Sequence, residues 1–136
     1  MSAVDRSEPA AEPGAVREYK SRGGASRLGR ALRYSLAGLR AAWRHEAAFR
    51  QEVCVGIPLV IFALWAAPGR WQTLALVASV VFVWVVELLN SALEAVADAV
   101  SPHPHPLIGR AKDLGSAAVM TSLLLAIAVW ATVFWP

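Results

Sequence analysis

The chain has 136 residues, of which 57% are hydrophobic and 17% are charged, and its formal net charge is +3. Soluble domains contain roughly 45–50% apolar and about 25% charged residues, so this composition argues against a soluble globular protein and against a disordered chain. The small net charge is not spread over a polar domain, so no nucleic-acid partner is expected. A single cysteine, Cys54, excludes an intrachain disulfide and a cysteine-rich metal site.

The first 25 residues are rich in Pro, Gly, Ala, Glu and Arg. They lack the apolar core that a signal peptide needs, and they have too few hydrophobic side chains to form a packed core. We therefore predict a disordered N-terminal tail over residues 1–25 and one folded domain over residues 26–136.

A helical repeat of apolar residues follows the tail. Between residues 26 and 47 they recur at spacings of three and four, which is one face of an α-helix: Leu28, Leu32, Leu36, Leu39 and Trp43. The arginines of this segment lie largely off that stripe. A cationic helix with a leucine and tryptophan face is typical of helices that lie in the membrane interface. We predict such a surface helix; the alternative is an ordinary helix packed on the bundle, with its arginines in water.

Three uncharged stretches come next, at residues 53–69, 71–86 and 114–136. A helix needs about 20 mainly apolar residues to cross the hydrocarbon core of a membrane. With their flanking residues, these stretches predict transmembrane helices over about 48–67, 71–98 and 114–135.

The distribution of basic residues predicts the orientation of these helices. Lys and Arg are concentrated before the first predicted span and in the loop at 99–113, whereas the turn between the first two spans carries only Arg70. By the positive-inside rule, the N-terminus and the 99–113 loop are expected in the cytoplasm and the C-terminus on the opposite side.

The second predicted span carries a polar stripe. Glu87, Asn90, Glu94 and Asp98 recur at helical spacing on an otherwise apolar helix. An ionisable group at membrane depth costs several kcal/mol unless it faces protein, water or a partner. Three helices offer little interior for such a stripe, so we expect several chains to associate around it. Its deep carboxylate could accept a proton from a lipid alcohol, and a shallower one could hold a divalent cation that bridges nucleotide phosphates.

Other sequence features leave alternatives open. The pattern GxxxxGK[ST], the protein-kinase motifs and the GxSxG elbow are missing. His103 and His105, in a proline-rich loop, are most simply part of a rigid loop. Lys112 could pair with phosphate or anchor the chain at the membrane surface. A proton or ion conductor could also use the polar stripe, whereas a purely structural membrane subunit would not need it.

Three segments resemble the small bacterial integral-membrane diacylglycerol kinases: YSLAGLRAAWRHEAAFRQE (34–52), VELLNSALEAVAD (86–98) and GRAKDLGSAAV (109–119). The resemblance covers about residues 26–136. It implies an all-α membrane protein, with three transmembrane helices and one amphipathic surface helix per subunit in a homotrimeric helical bundle. It also implies transfer of the ATP γ-phosphate to diacylglycerol with Mg²⁺, at sites shared between subunits in the bacterial inner membrane. The C-terminus would then be periplasmic.

The resemblance implies a role for each matching residue. Glu87 matches the proton acceptor, and Glu46 and Glu94 match the metal-binding carboxylates. The nucleotide positions are Arg27, Tyr34, Glu46, Glu94, His103, His105, Lys112 and Asp113. The lipid positions are Arg27, Arg40, Trp43, Ala48, Phe49, Arg50, Gln51, Glu52, Glu87 and Ser116. Asn90 and Asp98 match supporting polar positions. Related enzymes prefer undecaprenol, but the AAWRHEAAFRQE segment looks more like the diacylglycerol branch.

Overall fold

The computed structural model describes residues 24–100, 103 and 105–135, and every regular element in these ranges is an α-helix. The four helices are α1 (Gly24–His45), α2 (Ala47–Ala66), α3 (Arg70–Val100) and α4 (Pro106–Phe134). The last three are long and apolar enough to cross a membrane, with mean hydropathies of 1.6, 2.1 and 2.2. The predicted all-α membrane fold is confirmed. The predicted tail lies outside the described residues, except that α1 already begins at Gly24.

Helix α4 begins well before the predicted third span. Its first residue is Pro106, whereas the uncharged stretch begins only at 114. Proline is favourable in the first turn of a helix because its missing N–H has no intrahelical acceptor there. The His105 Nδ1 atom caps the same end by accepting a hydrogen bond from the Leu107 N–H, at 3.2 Å. Lys112 and Asp113 therefore lie on a helix and not, as predicted, in a loop.

A sharp elbow at Glu46 joins α1 to α2. Glu46 has extended backbone angles, with φ −101° and ψ 110°, and its N–H donates to the Ala42 carbonyl at 2.9 Å. The Arg50 guanidinium reaches back and donates to the carbonyls of Trp43 at 3.1 Å and Arg44 at 3.3 Å. The last carbonyls of a helix lack intrahelical partners, so Arg50 satisfies the end of α1 and holds the elbow in place.

Helix α3 is the centre of the fold, since it packs against both α2 and α4. Its buried face includes Leu76, Val80 and Val83. At one end of this contact, the Trp130 indole of α4 donates to the Ser79 hydroxyl of α3 at 3.2 Å. The single chain leaves most of its apolar helix surface uncovered. In the most apolar 18-residue stretch of α4, only 6% of the window is buried. The outer faces of α2 to α4 are thus available to lipid or to other protein chains.

Helix α1 leaves its apolar stripe uncovered. Its only substantial packing within the described chain is against α2, and its five stripe residues are all exposed, from 46% at Leu39 to 72% at Leu28. Packing against the bundle of its own chain therefore does not account for this stripe. The geometry agrees with the predicted surface helix.

Gly56 allows α2 to lie close to α3. A Cβ atom built on this glycine would lie 2.6 Å from Cζ2 of Trp84 and 2.8 Å from Cγ1 of Val80. Neither atom is the tip of a flexible chain, so a methyl group here would force the helices apart or strain the indole.

Gly56→Ala is therefore expected to lower the free energy of unfolding by about 1–3 kcal/mol, as overpacking a well-filled contact usually does. Thermal or denaturant unfolding in detergent measures this loss. Gly29→Ala on α1 is the matched control, because a Cβ at that position meets nothing within 4 Å. Equal stability of both variants would show that the α2–α3 contact tolerates a side chain at residue 56.

Candidate active site

Glu87 is the most buried charged side chain among the described residues, with 4% of its surface exposed. Helix α3 places it in the middle of the bundle, facing the elbow and α2. The carboxylates of Glu46, Glu52 and Glu94 all lie close enough to act on it electrostatically. We call these four side chains the carboxylate cluster. Like charges this close together in an apolar bundle are tolerated only where protein, water or a counter-charge surrounds them.

The polar stripe of α3 changes from buried to exposed along the helix. Glu87 is buried, Asn90 and Glu94 are half-buried, and Asp98 is exposed. The Asn90 side-chain N–H₂ donates to Glu94 Oε1 at 3.2 Å, which fixes the Glu94 carboxylate one turn beyond the amide. The stripe predicted from spacing is therefore present, and its inner half belongs to the carboxylate cluster.

Asp98 pairs with Lys112 where α3 and α4 meet across the 101–105 connection. Their Oδ1 and Nζ atoms are 2.5 Å apart, and both side chains remain accessible, at 69% and 37% exposure. An exposed ion pair stabilises a fold only slightly. Its main consequence is positional, because it keeps the Lys112 ammonium group at the open end of the stripe.

Two concave surfaces flank the carboxylate cluster. A cleft of 720 Å³ between α1 and α3 is lined mainly by small and apolar side chains, and its polar lining residues are Ser35, His45, Glu46 and Ser91. A groove of 640 Å³ lies between α2, α3 and α4. Gln51 and Glu52 lie at one end of this groove and Trp130 at the other, and the rest of its lining is apolar. The cluster thus lies between two largely apolar concave surfaces, with Glu46 lining the cleft and Glu52 lining the groove.

The fold distributes the predicted site residues unevenly. It gathers Glu46, Glu52, Glu87 and Glu94, together with Asn90. It leaves other predicted nucleotide and lipid residues on exposed surfaces of the chain: Arg27, Tyr34, Arg40, Trp43, Ala48, His103, Asp113 and Ser116.

Within the predicted lipid segment, residues 48–52 face different surroundings. Phe49 is buried at the elbow, with 6% exposed, and Arg50 caps α1. Only Gln51 and Glu52 line the apolar groove.

Sequence reasoning assigned no role to two residues beside the cluster, although Ser91 stands among the polar residues of the second predicted span. Ser91 lines the cleft, and Gly115 lies directly against Asn90. Gly115 did leave a signal, because a glycine inside an otherwise regular helix costs stability and usually has a packing reason.

The ligand chemistry of the cluster suits Mg²⁺ bound together with phosphate. Within the described ranges, no three His, Cys, Asp or Glu side chains converge on one metal position. Mg²⁺ commonly takes only one or two protein carboxylates and completes its octahedral shell with substrate phosphates and water. Glu46, which lines the cleft, and Glu94 are two hard oxygen donors that fit that pattern.

A buried carboxylate on a membrane-spanning helix, further carboxylates beside it and an adjoining apolar groove define a membrane protein equipped to act on a lipid. Sequence comparisons identify its class: the family model "Prokaryotic diacylglycerol kinase" matches residues 33–134. The chain is 45% identical to the diacylglycerol kinase of Escherichia coli K12 over 112 residues, which is 82% of this chain and 92% of that protein.

The diacylglycerol kinase of Pseudomonas aeruginosa is 43% identical over 115 residues, covering 85% of this chain and 94% of that protein. For the Haemophilus influenzae diacylglycerol kinase the identity is 40%, again over 115 residues, with 82% and 94% covered. The chain belongs to the prokaryotic diacylglycerol kinase family and is a lipid kinase of the multi-pass bacterial membrane type.

Proposed function

We propose that this chain transfers the γ-phosphoryl group of ATP to the free hydroxyl of diacylglycerol, giving phosphatidic acid and ADP. The observation that carries this proposal is the buried Glu87 carboxylate, with Glu46 and Glu94 beside it. A carboxylate that is excluded from bulk water, and whose neighbour Glu52 lines an apolar groove, is suited to deprotonate a lipid alcohol. The names of the relatives supply the substrate, and they favour it over undecaprenol and over ion conduction.

Glu87 is the proton acceptor in this proposal. As the hydroxyl oxygen of diacylglycerol forms its bond to the γ-phosphorus, its proton passes to the Glu87 carboxylate. The bond between the γ-phosphorus and the bridging oxygen breaks, and ADP leaves with the electron pair. A positioned general base contributes about 10²–10⁴ in rate, and the remaining catalysis comes from positioning and charge stabilisation.

Glu46 and Glu94 are proposed to hold Mg²⁺ together with ATP. The bound ion would neutralise charge on the phosphates and orient them. The remaining nucleotide contacts are assigned to basic and polar groups from α1 and from the α3–α4 end: Arg27, Tyr34, His103, His105, Lys112 and Asp113. Lys112 already lies at the open end of the stripe, so its ammonium can exchange Asp98 for a phosphate.

The apolar groove is the proposed site of the lipid chains. Its polar end at Gln51 and Glu52 would lie at the glycerol, near Glu87, and its apolar length would receive acyl carbons. The other assigned lipid contacts are Arg27, Arg40, Trp43, Ala48, Phe49, Arg50 and Ser116. Phe49 and Arg50 would act by shaping the elbow, since Phe49 is buried and Arg50 is bound to the end of α1.

We further infer a homotrimer whose sites are shared between subunits, with the N-terminus in the cytoplasm and the C-terminus in the periplasm. The polar stripe of α3 and the uncovered faces of α2 to α4 favour association of chains. The arginine-rich α1 and the Arg110 and Lys112 end of α4 favour this orientation.

Glu87→Gln tests the proton acceptor. The amide keeps the size of the side chain but cannot take a proton, so the turnover number should fall by about 10²–10⁴, while ATP affinity and thermal stability stay close to the parent. Kinase assays, nucleotide titration and unfolding in detergent measure the three quantities. Glu18→Gln, the same change in the N-terminal segment, is the control. Parent-like turnover in Glu87→Gln would remove Glu87 from the mechanism.

Glu46→Gln and Glu94→Gln test the metal carboxylates. Each removes one anionic oxygen donor, so the Mg²⁺ concentration that gives half-maximal activity should rise at least tenfold, with a drop in turnover. The Mg²⁺ dependence of the kinase rate at fixed ATP measures this. A variant whose Mg²⁺ dependence matches the parent would show that its carboxylate is not a ligand.

The oligomeric state is tested by sedimentation in detergent of matched density, which reports the protein mass alone. We expect three chains per particle, because the exposed apolar faces and the polar stripe need partners within the membrane. An active particle of one chain would contradict both the trimer and the shared sites.

A further inference from the structure

Gly115 is a buried glycine of α4, and it lies against the second half of α3. A Cβ atom built on it would collide with Oδ1 of Asn90, and it would lie 3.3 Å from Cγ of the same side chain. Gly109 lies on the same helix, but a Cβ built there meets nothing within 4 Å. The crowding therefore belongs to residue 115 and not to the helix as a whole.

The Asn90 amide lies between Glu94 and Gly115. Its N–H₂ group points at Glu94, where it donates to Oε1 at 3.2 Å. The other end of the amide, Oδ1, then points at Gly115. This oxygen is buried, and no hydrogen-bond partner for it occurs in the part of the chain that the structure describes.

We propose that Gly115 is a positioning residue of the kinase, acting through Asn90 on the Glu94 carboxylate. The missing side chain of Gly115 leaves room for Oδ1, and that room keeps the N–H₂ group of Asn90 on Glu94. This inference rests on the proposed role of Glu94 as a metal ligand, and it adds a residue on a different helix that controls that ligand.

The alternative is that Gly115 only lets two helices approach. A purely structural glycine would affect stability without singling out the metal. A glycine that orients Asn90 has a specific effect, because a methyl group at 115 must turn the amide and withdraw the donor from Glu94. Partners of metal ligands typically affect metal affinity or activity by about 10–100-fold when they are lost.

Gly115→Ala is the first test, with Gly109→Ala as the matched control. Binding of Mn²⁺ in the presence of a non-hydrolysable ATP analogue is followed by the electron paramagnetic resonance of free Mn²⁺, which needs no turnover. We expect Mn²⁺ to bind at least tenfold more weakly to Gly115→Ala, the Mg²⁺ requirement of the kinase to rise in parallel, and the KM for diacylglycerol to change less than twofold. Gly109→Ala should match the parent in each measurement. Unchanged Mn²⁺ binding in folded Gly115→Ala would overturn the proposal.

A double-mutant cycle with Asn90→Ala tests the steric route. Once the amide is removed, the methyl group at 115 has room, so Gly115→Ala should add nothing to the effect of Asn90→Ala on either Mn²⁺ binding or unfolding. Additive effects would show that Gly115 does not act through Asn90 and would overturn the proposal. If Gly115→Ala alone fails to fold, the double variant should fold, and its failure to do so would count equally against the proposal.

Glu94→Gln distinguishes a failure of the proposed metal site from a failure of the positioning role of Gly115. If Glu94→Gln binds Mn²⁺ like the parent, the proposed metal site is wrong and the role of Gly115 falls with it. If Glu94→Gln weakens Mn²⁺ binding but Gly115→Ala does not, the metal site stands and only the positioning role is wrong.

Discussion

The cost of placing a carboxylate inside an apolar helical bundle governs the rest of this structure. Glu87 is almost fully buried, and a charged side chain at membrane depth is tolerated only when protein, water or a counter-charge surrounds it. The Lys112–Asp98 ion pair lies at the exposed end of the stripe and not at Glu87. The fold instead brings three further carboxylates within electrostatic reach of Glu87, an arrangement that is unfavourable for folding and that, in the proposed mechanism, serves the chemistry. This conflict between stability and chemistry is typical of an active site.

Close helix packing makes this arrangement sustainable. Water does not drive helices together within a membrane, so small residues that permit close contact become the main source of association. Gly56 brings α2 against Trp84 of α3, and Gly115 brings α4 against Asn90. The two glycines lie on α2 and α4, the two helices that pack against α3. Helix α3 is therefore held by both, and its polar stripe keeps one rotational setting relative to the elbow and to α4.

The elbow links the surface helix to this core. Glu46 is the one residue between α1 and α2, and its backbone is extended between two helices whose ends are tied by Arg50. A movement of α1 on the membrane surface would therefore be transmitted to the Glu46 carboxylate. Since the apolar stripe of α1 is uncovered in the single chain, lipid or another subunit must complete this part of the protein.

Local pattern alone determined much of this protein. Hydropathy predicted three membrane helices, the spacing of leucines predicted α1, and helical periodicity placed Glu87, Asn90 and Glu94 on one face. The ELLNSALE and GRAKDLGSA segments indicated the family. These properties are readable because they depend on residues a few positions apart, where helix geometry relates sequence directly to space.

Tertiary structure alone decided how the faces of neighbouring helices meet. It placed Phe49 in the core of the elbow, joined Asp98 to Lys112 and set Gly115 against Asn90. Each of these contacts depends on the rotation and separation of neighbouring helices. Those quantities arise from side-chain packing over the whole interface between helices. The residue pattern within a single helix therefore does not predict them.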